Sequence, residues 1–186
     1  MPQFPPFPTW DSLHPMVIHF PIVLLLVSPL FFLISAALPP PHGRPYTLVA
    51  LLLLWLGTGS LFLAAASGHA AALLAERGGS VDAILKSHEE MAMQTEIVFS
   101  VLCLVMLAIV ALPRMLRREE TRLTTTWMPL SFLVLYCVGI LFVINTAHAG
   151  GRLVHEFGMH AIIPAETSHS NALPNARVSA RMDEGH

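Results

Sequence analysis

Residues 13–38 read LHPMVIHFPIVLLLVSPLFFLISAAL, and the fold turns on this stretch. It holds no Asp, Glu, Lys or Arg from end to end. A helix crosses a bilayer with about 20 predominantly apolar residues. The segment from Pro15 to Leu38 therefore reads as a membrane span that stops at Pro39, Pro40 and Pro41. Pro29 inside it predicts a kink, tolerated where neighbours satisfy the carbonyl it frees.

Three more stretches match that pattern, at about residues 46–74, 92–112 and 127–149. Together they predict an all-α integral membrane protein, an up-down four-helix bundle spanning residues 13–160. The bulk numbers agree. Charged residues make up 12% of the chain, about half the 25% usual in soluble domains, and mean hydropathy is +0.64. The net charge of −2 gives no basic footprint for nucleic acid. Residues 1–12 are a Pro-rich segment without the basic region or cleavage site of a signal peptide, so the first span is expected to be retained. Residues 161–186 lack apolar periodicity and are expected to form a disordered periplasmic tail.

Arginine and lysine set the expected orientation. Arg44 falls in the first loop, and Arg114, Arg117, Arg118 and Arg122 in the third. The second loop has Arg77 and Lys86 among Glu76, Asp82, Glu89 and Glu90. Loops one and three are thus expected in the cytoplasm. Both termini and loop two are expected on the periplasmic side of a bacterial inner membrane, although Arg152, Arg177 and Arg181 weigh against that bias.

Histidine carries the chemistry. The chain has ten. His14 and His19 open the first span, His69 nears the end of the second, His88 precedes the third, and His148 ends the fourth; His155 and His160 follow. An up-down bundle brings all of these to the outer face, leaving only His42 opposite. Pro15 suits a first helical turn, which puts His14 at a cap near water. His19 lies about 8 Å deeper at 1.5 Å per residue and is expected to turn inward. Interfacial histidines are common because imidazole is amphipathic. Histidines from four helices on one face point instead to ligation, since neutral imidazole is the commonest protein metal ligand.

The neighbours of these histidines refine the expectation. Span two reads LAAASGHAAALLA around His69, and such small residues let helices approach closely. His88, Ala92, Thr95, Phe99 and Met106 form one stripe at helical spacing, an inward face that ordinary core packing also explains. Glu96 is the one carboxylate well inside an apolar run, a proton-relay or quinone-site candidate as readily as an interfacial acid. Arg152, beside Gly150 and Gly151, is placed to pair with carboxylates such as haem propionates or to anchor the interface. His155 joins it there. Cys103 and Cys137 sit at mid-membrane without a CxxC or CxxCH spacing and read as packing residues.

Three stretches, LHPMVIHFP (13–21), SGHAAA with SHEEMA (67–72 and 87–92), and AHAGGRLVHEFG (147–158), resemble the bacterial membrane proteins grouped as domain of unknown function 2231. The resemblance covers about residues 12–160. His14, His19, His88, Gly150 and Gly151 match its pattern, whereas His69 and His148 suit a histidine-rich, haem-binding subset. His155 stands where an aromatic such as tyrosine is expected. Some members are fused to or encoded near c-type cytochromes, which implies a respiratory electron-transfer setting and four membrane helices.

The leading expectation is a membrane b-type cytochrome with one or two non-covalent haems. His19 would pair with His88, and His69 with His148; His14, His155 and Arg152 would support the ligands or the propionates. Electrons would pass between quinol and a periplasmic c-type cytochrome or larger complex, making the chain an electron-transfer subunit more than a stand-alone enzyme. Copper or zinc handling is an alternative, with Met91 and Met93 as thioethers suited to Cu(I). A structural or assembly subunit of a respiratory complex, holding no cofactor, is the third reading.

Overall fold

The computed structural model describes residues 10, 13–74, 78–116 and 121–158, with 124 and 125 as backbone only. The remainder of the Pro-rich segment, Glu76, Arg77, Arg117, Arg118, His160 and the tail 161–186 lie outside the described residues. The described chain is all-α: α1 (His14–Val17), α2 (His19–Ala37), α3 (Arg44–Leu74), α4 (Ser80–Met115) and α5 (Met128–His155). A π-helical turn, Leu123–Trp127, leads into α5. Helices α1 and α2 form one apolar passage of 24 residues. With α3, α4 and α5, of 31, 36 and 28 residues, this makes four helical passages long and apolar enough to cross a membrane.

The break between α1 and α2 has a local cause. Pro21 has no N–H to give the Val17 carbonyl, and the next bond, Ile22 N–H to Ile18 O, is stretched to 3.5 Å. Ile18 becomes a turn, and the passage changes phase there. At the other ends, two helices outrun their apolar stretches. Helix α4 starts at Ser80 instead of about residue 92, so His88 is a helical residue and loop two is short. Asp82 in its first turn suits the helix dipole, and Lys86 and Glu90 form an i,i+4 pair at 3.9 Å. Helix α5 runs through Gly150 and Gly151 to His155.

The closest pairs are α2 with α3 and α4 with α5, and contacts of α3 with α4 and α2 with α5 close the bundle. Glycine sets both tight approaches. A Cβ on Gly57 would come within 2.7 Å of Leu25, and one on Gly139 within 2.9 Å of Leu102 and 3.1 Å of Phe99. Leu25, Phe32, Leu54, Phe99, Met106 and Tyr136 form the centre of the core. Large apolar side chains such as Phe20, Ile97 and Val134 cover the outer surface, as lipid contact requires. Cys103 packs inside against Thr58, with 3.2 Å between Sγ and Oγ1, whereas Cys137 lies on the exposed surface and packs nothing in the core.

Pro29 leaves the Leu25 carbonyl without an amide donor, because the residue four positions on has no N–H. The Tyr136 hydroxyl donates to that carbonyl at 2.8 Å from α5. Tyr136 is fully buried, edge-on to Phe32, Phe99 and Phe132 at 6.2, 5.5 and 5.9 Å. Tyr136→Phe should keep the ring contacts and orphan the carbonyl, costing about 1–3 kcal/mol. Unfolding in detergent checks this. The same substitution in a Pro29→Ala background, where the alanine N–H restores the missing donor, should cost markedly less.

Candidate functional site

The start of α1, the end of α3, the start of α4 and the end of α5 lie at one end of the bundle, and two histidines turn inward there. His14 Nδ1 lies 2.9 Å from the Ala64 carbonyl and 3.0 Å from Ser67 Oγ, and the Ser67 hydroxyl itself donates to Ala64 O at 2.9 Å. His88 Nδ1 lies 3.0 Å from the Thr146 carbonyl. A carbonyl only accepts, so each Nδ1 carries a proton and, in the neutral ring, each Nε2 carries the lone pair. Neither Nε2 has a hydrogen-bond partner among the described residues, and neither is sealed from the surface. Both rings lie at the same end of the bundle, His14 against α3 and His88 against α5.

Each ring also lies over a glycine. A Cβ on Gly68 would stand 2.7 Å from His14 Cε1, and one on Gly150 would stand 3.0 Å from His88 Cε1. The Thr146 hydroxyl is tied to Thr95 Oγ1 at 2.9 Å, and Thr95 donates back to Met91 O at 2.7 Å. The His88 cradle is therefore fixed by three side chains on two helices.

The other candidates are elsewhere. His19 is exposed on the outside of the bundle: past the turn at Ile18 the inward and outward roles expected of the two histidines are reversed, and His14 is the inward one. His69 is exposed and leans toward Glu89 at 3.8 Å. His148 and His155 are exposed as well. Neither expected pair, His19 with His88 or His69 with His148, is made of two inward-facing rings, because His19, His69 and His148 are exposed. Arg152 makes a bidentate fork with Glu156, at 2.9 and 3.0 Å from Nε and 2.9 Å from Nη2. That hydrogen bonding holds the Glu156 carboxyl below its usual range. Glu96 Oε1 is buried without a partner among the described residues. Among those residues, no three His, Cys, Asp or Glu side chains converge as a metal site would need.

An open groove of about 430 Å³ runs between α4 and α5, lined by Ser87, Met91, Gln94, Asn145, His148 and Arg152 among others. Two of its lining residues, Ser87 and Asn145, are the chain neighbours of His88 and Thr146. A shallower apolar cleft at the opposite end is lined by Ile109, Trp127 and Phe132.

What the sequence did not reveal were the acceptors, Ala64 O, Ser67 and Thr146 O, and the inward turn of His14. One signal was available: a glycine at Gly68 and at Gly150, each inside a helix and each four residues past the carbonyl that holds a ring. The donor chemistry fits a ligated centre. A metal-binding imidazole characteristically gives its second N–H to a backbone carbonyl, which fixes the tautomer and raises the basicity of the ligating nitrogen.

The glycines can be tested directly. Alanine at an exposed helical glycine stabilises by about 0.5–1 kcal/mol, and Gly59 and Gly151 have nothing within 4 Å of a new Cβ. Gly59→Ala and Gly151→Ala should therefore raise the unfolding midpoint slightly. Gly68→Ala and Gly150→Ala should lose that gain and displace the rings, an overpacking cost of about 1–3 kcal/mol. The effect should be larger at Gly68, where the clash is tighter. Thermal unfolding in detergent and the 15N imidazole shifts read both effects.

A search of curated proteins and a search of solved structures each find no match. A family model does match, over residues 11–162, and covers all four passages. The chain belongs to the DUF2231 family of predicted membrane proteins.

Proposed function

We propose that this chain is a haem-binding electron-transfer subunit of the bacterial inner membrane, with its site at the periplasmic end of the bundle. The observation that carries the reading is the pair of inward histidines, each held through Nδ1 on a backbone carbonyl with Nε2 open. A bound haem b would supply a one-electron Fe(III)/Fe(II) couple, tuned by its axial ligands and burial. The chain's own part is to fix two imidazoles in one tautomer, seat them on glycines and surround them with helices.

The placement of Arg44, Arg114 and Arg122 at the opposite end supports the periplasmic assignment of the histidine end. The electron donor in this reading is a quinol in the bilayer, and the acceptor a periplasmic c-type cytochrome or a larger complex. The absence of a three-residue metal cluster among the described residues leaves copper or zinc handling without a supporting observation.

The test is an oxidised-minus-reduced visible spectrum of the full chain purified from a haem-replete host, with pyridine haemochrome quantitation. A Soret band with a b-type α band is expected. A flat spectrum would overturn the reading.

A further inference from the structure

Set side by side, the passages show that the two halves of the chain are built on one plan. Counting from His14, the buried residues Pro21, Leu25, Ser28 and Phe32 fall in the same register as Thr95, Phe99, Leu102 and Met106 counted from His88. Counting back from Gly68, the buried residues Ser67, Gly57, Leu54 and Ala50 match Ala149, Gly139, Tyr136 and Phe132 counted back from Gly150. The contacts repeat as well as the burial. Gly57 packs on Leu25 as Gly139 packs on Phe99, and Gly68 packs under His14 as Gly150 packs under His88. The carbonyl that holds each ring comes four residues before its glycine, Ala64 in one half and Thr146 in the other. Packing registers that recur in both helices of each hairpin, down to the glycine contacts, are not expected of two unrelated hairpins. They describe one helical hairpin used twice.

We infer that the two hairpins form a pseudo-twofold pair and that His14 and His88, its equivalent positions, are the two ligands of a single centre shared between the halves. This inference rests on the haem reading and deepens it: a single bound haem would be held by one imidazole from each hairpin, His14 and His88, and would supply the one-electron couple. The repeat separates these two histidines from the rest. The position matching His19 is Met93, that matching His69 is Gly151, that matching His148 is Ala66, and that matching His155 is Leu73. Only His14 and His88 have a histidine as counterpart among the described histidines of this end. The centre therefore holds one haem per chain, and the pairs His19 with His88 and His69 with His148 are not its ligands.

The test uses the full chain. The wild type should bind one haem per protein with the low-spin electron paramagnetic resonance signature of two imidazoles. His14→Ala and His88→Ala should each abolish that signature, the double variant should add nothing further, and His19→Ala, His69→Ala and His148→Ala should leave it intact. His14→Met and His88→Met, which keep a ligand and guard against simple misfolding, should retain haem with a His–Met near-infrared band. Two haems per chain, or a bis-imidazole signal surviving in His14→Ala or His88→Ala, would overturn the inference while leaving the haem reading in place. If the purified protein is spectrally flat, the haem reading falls, and haemin titrated into it decides the ligand pair by 15N imidazole resonances. His14 and His88 shifting together supports the shared centre; either one remaining unmoved, or both, overturns it.

Discussion

A proline in the first passage and a tyrosine in the last hold this bundle together. Inside a bilayer no water is available to a backbone carbonyl that has lost its amide donor, and each such group costs several kcal/mol. Pro29 creates such a carbonyl at Leu25, and Tyr136 answers it across the bundle at 2.8 Å. The ring that carries the hydroxyl then organises Phe32, Phe99 and Phe132 around itself. The same rule governs the smaller groups: Ser28 donates to the Ala50 carbonyl at 2.9 Å, and Thr58 to Leu54 O at 2.8 Å. Glu96 is the exception, with one sealed oxygen unpaired among the described residues.

That economy gives the two inward histidines their meaning. Each spends its one protonated nitrogen on a carbonyl at the open end of the bundle and keeps the other nitrogen unspent. A helix carbonyl that already serves its own ladder does not need an imidazole. The bonds serve the rings, fixing their tautomer and orientation, and the glycines beneath them bring the rings against the helix backbone. Fixing a ring in this way has an entropic cost, which ligation by the free nitrogen would offset.

The spans, their number and the histidine-bearing end were legible because hydropathy and bilayer thickness act on whole segments. Helix ends were not. The polar run from Ser80 to Glu90 reads as a loop by hydropathy, yet it continues α4 through Asp82 and the Lys86–Glu90 pair. Which way His14 and His19 face was not legible, because periodicity assumes an unbroken helix and Pro21 interrupts the ladder at Ile18 between them. The outward face of Cys137, expected to pack, was hidden for a related reason: depth along a span is set by sequence distance, but an inward or outward face depends on which residues the neighbouring helix buries. The repeat is faint in the sequence because residue identity survives at few positions, His14 with His88, Gly57 with Gly139 and Gly68 with Gly150 among them, while most of it lies in burial and contact registers, where Leu25 matches Phe99 and Ser28 matches Leu102.

The most direct measurement is an experimental structure of the full chain purified from its own membrane, at a resolution that shows imidazole rings. A planar group lying between the Nε2 atoms of His14 and His88, with both Nδ1 atoms still on the Ala64 and Thr146 carbonyls, is the expected result. Density ligated by His19, His69 or His148, or two histidine rings at positions 14 and 88 facing only protein and water, would contradict it.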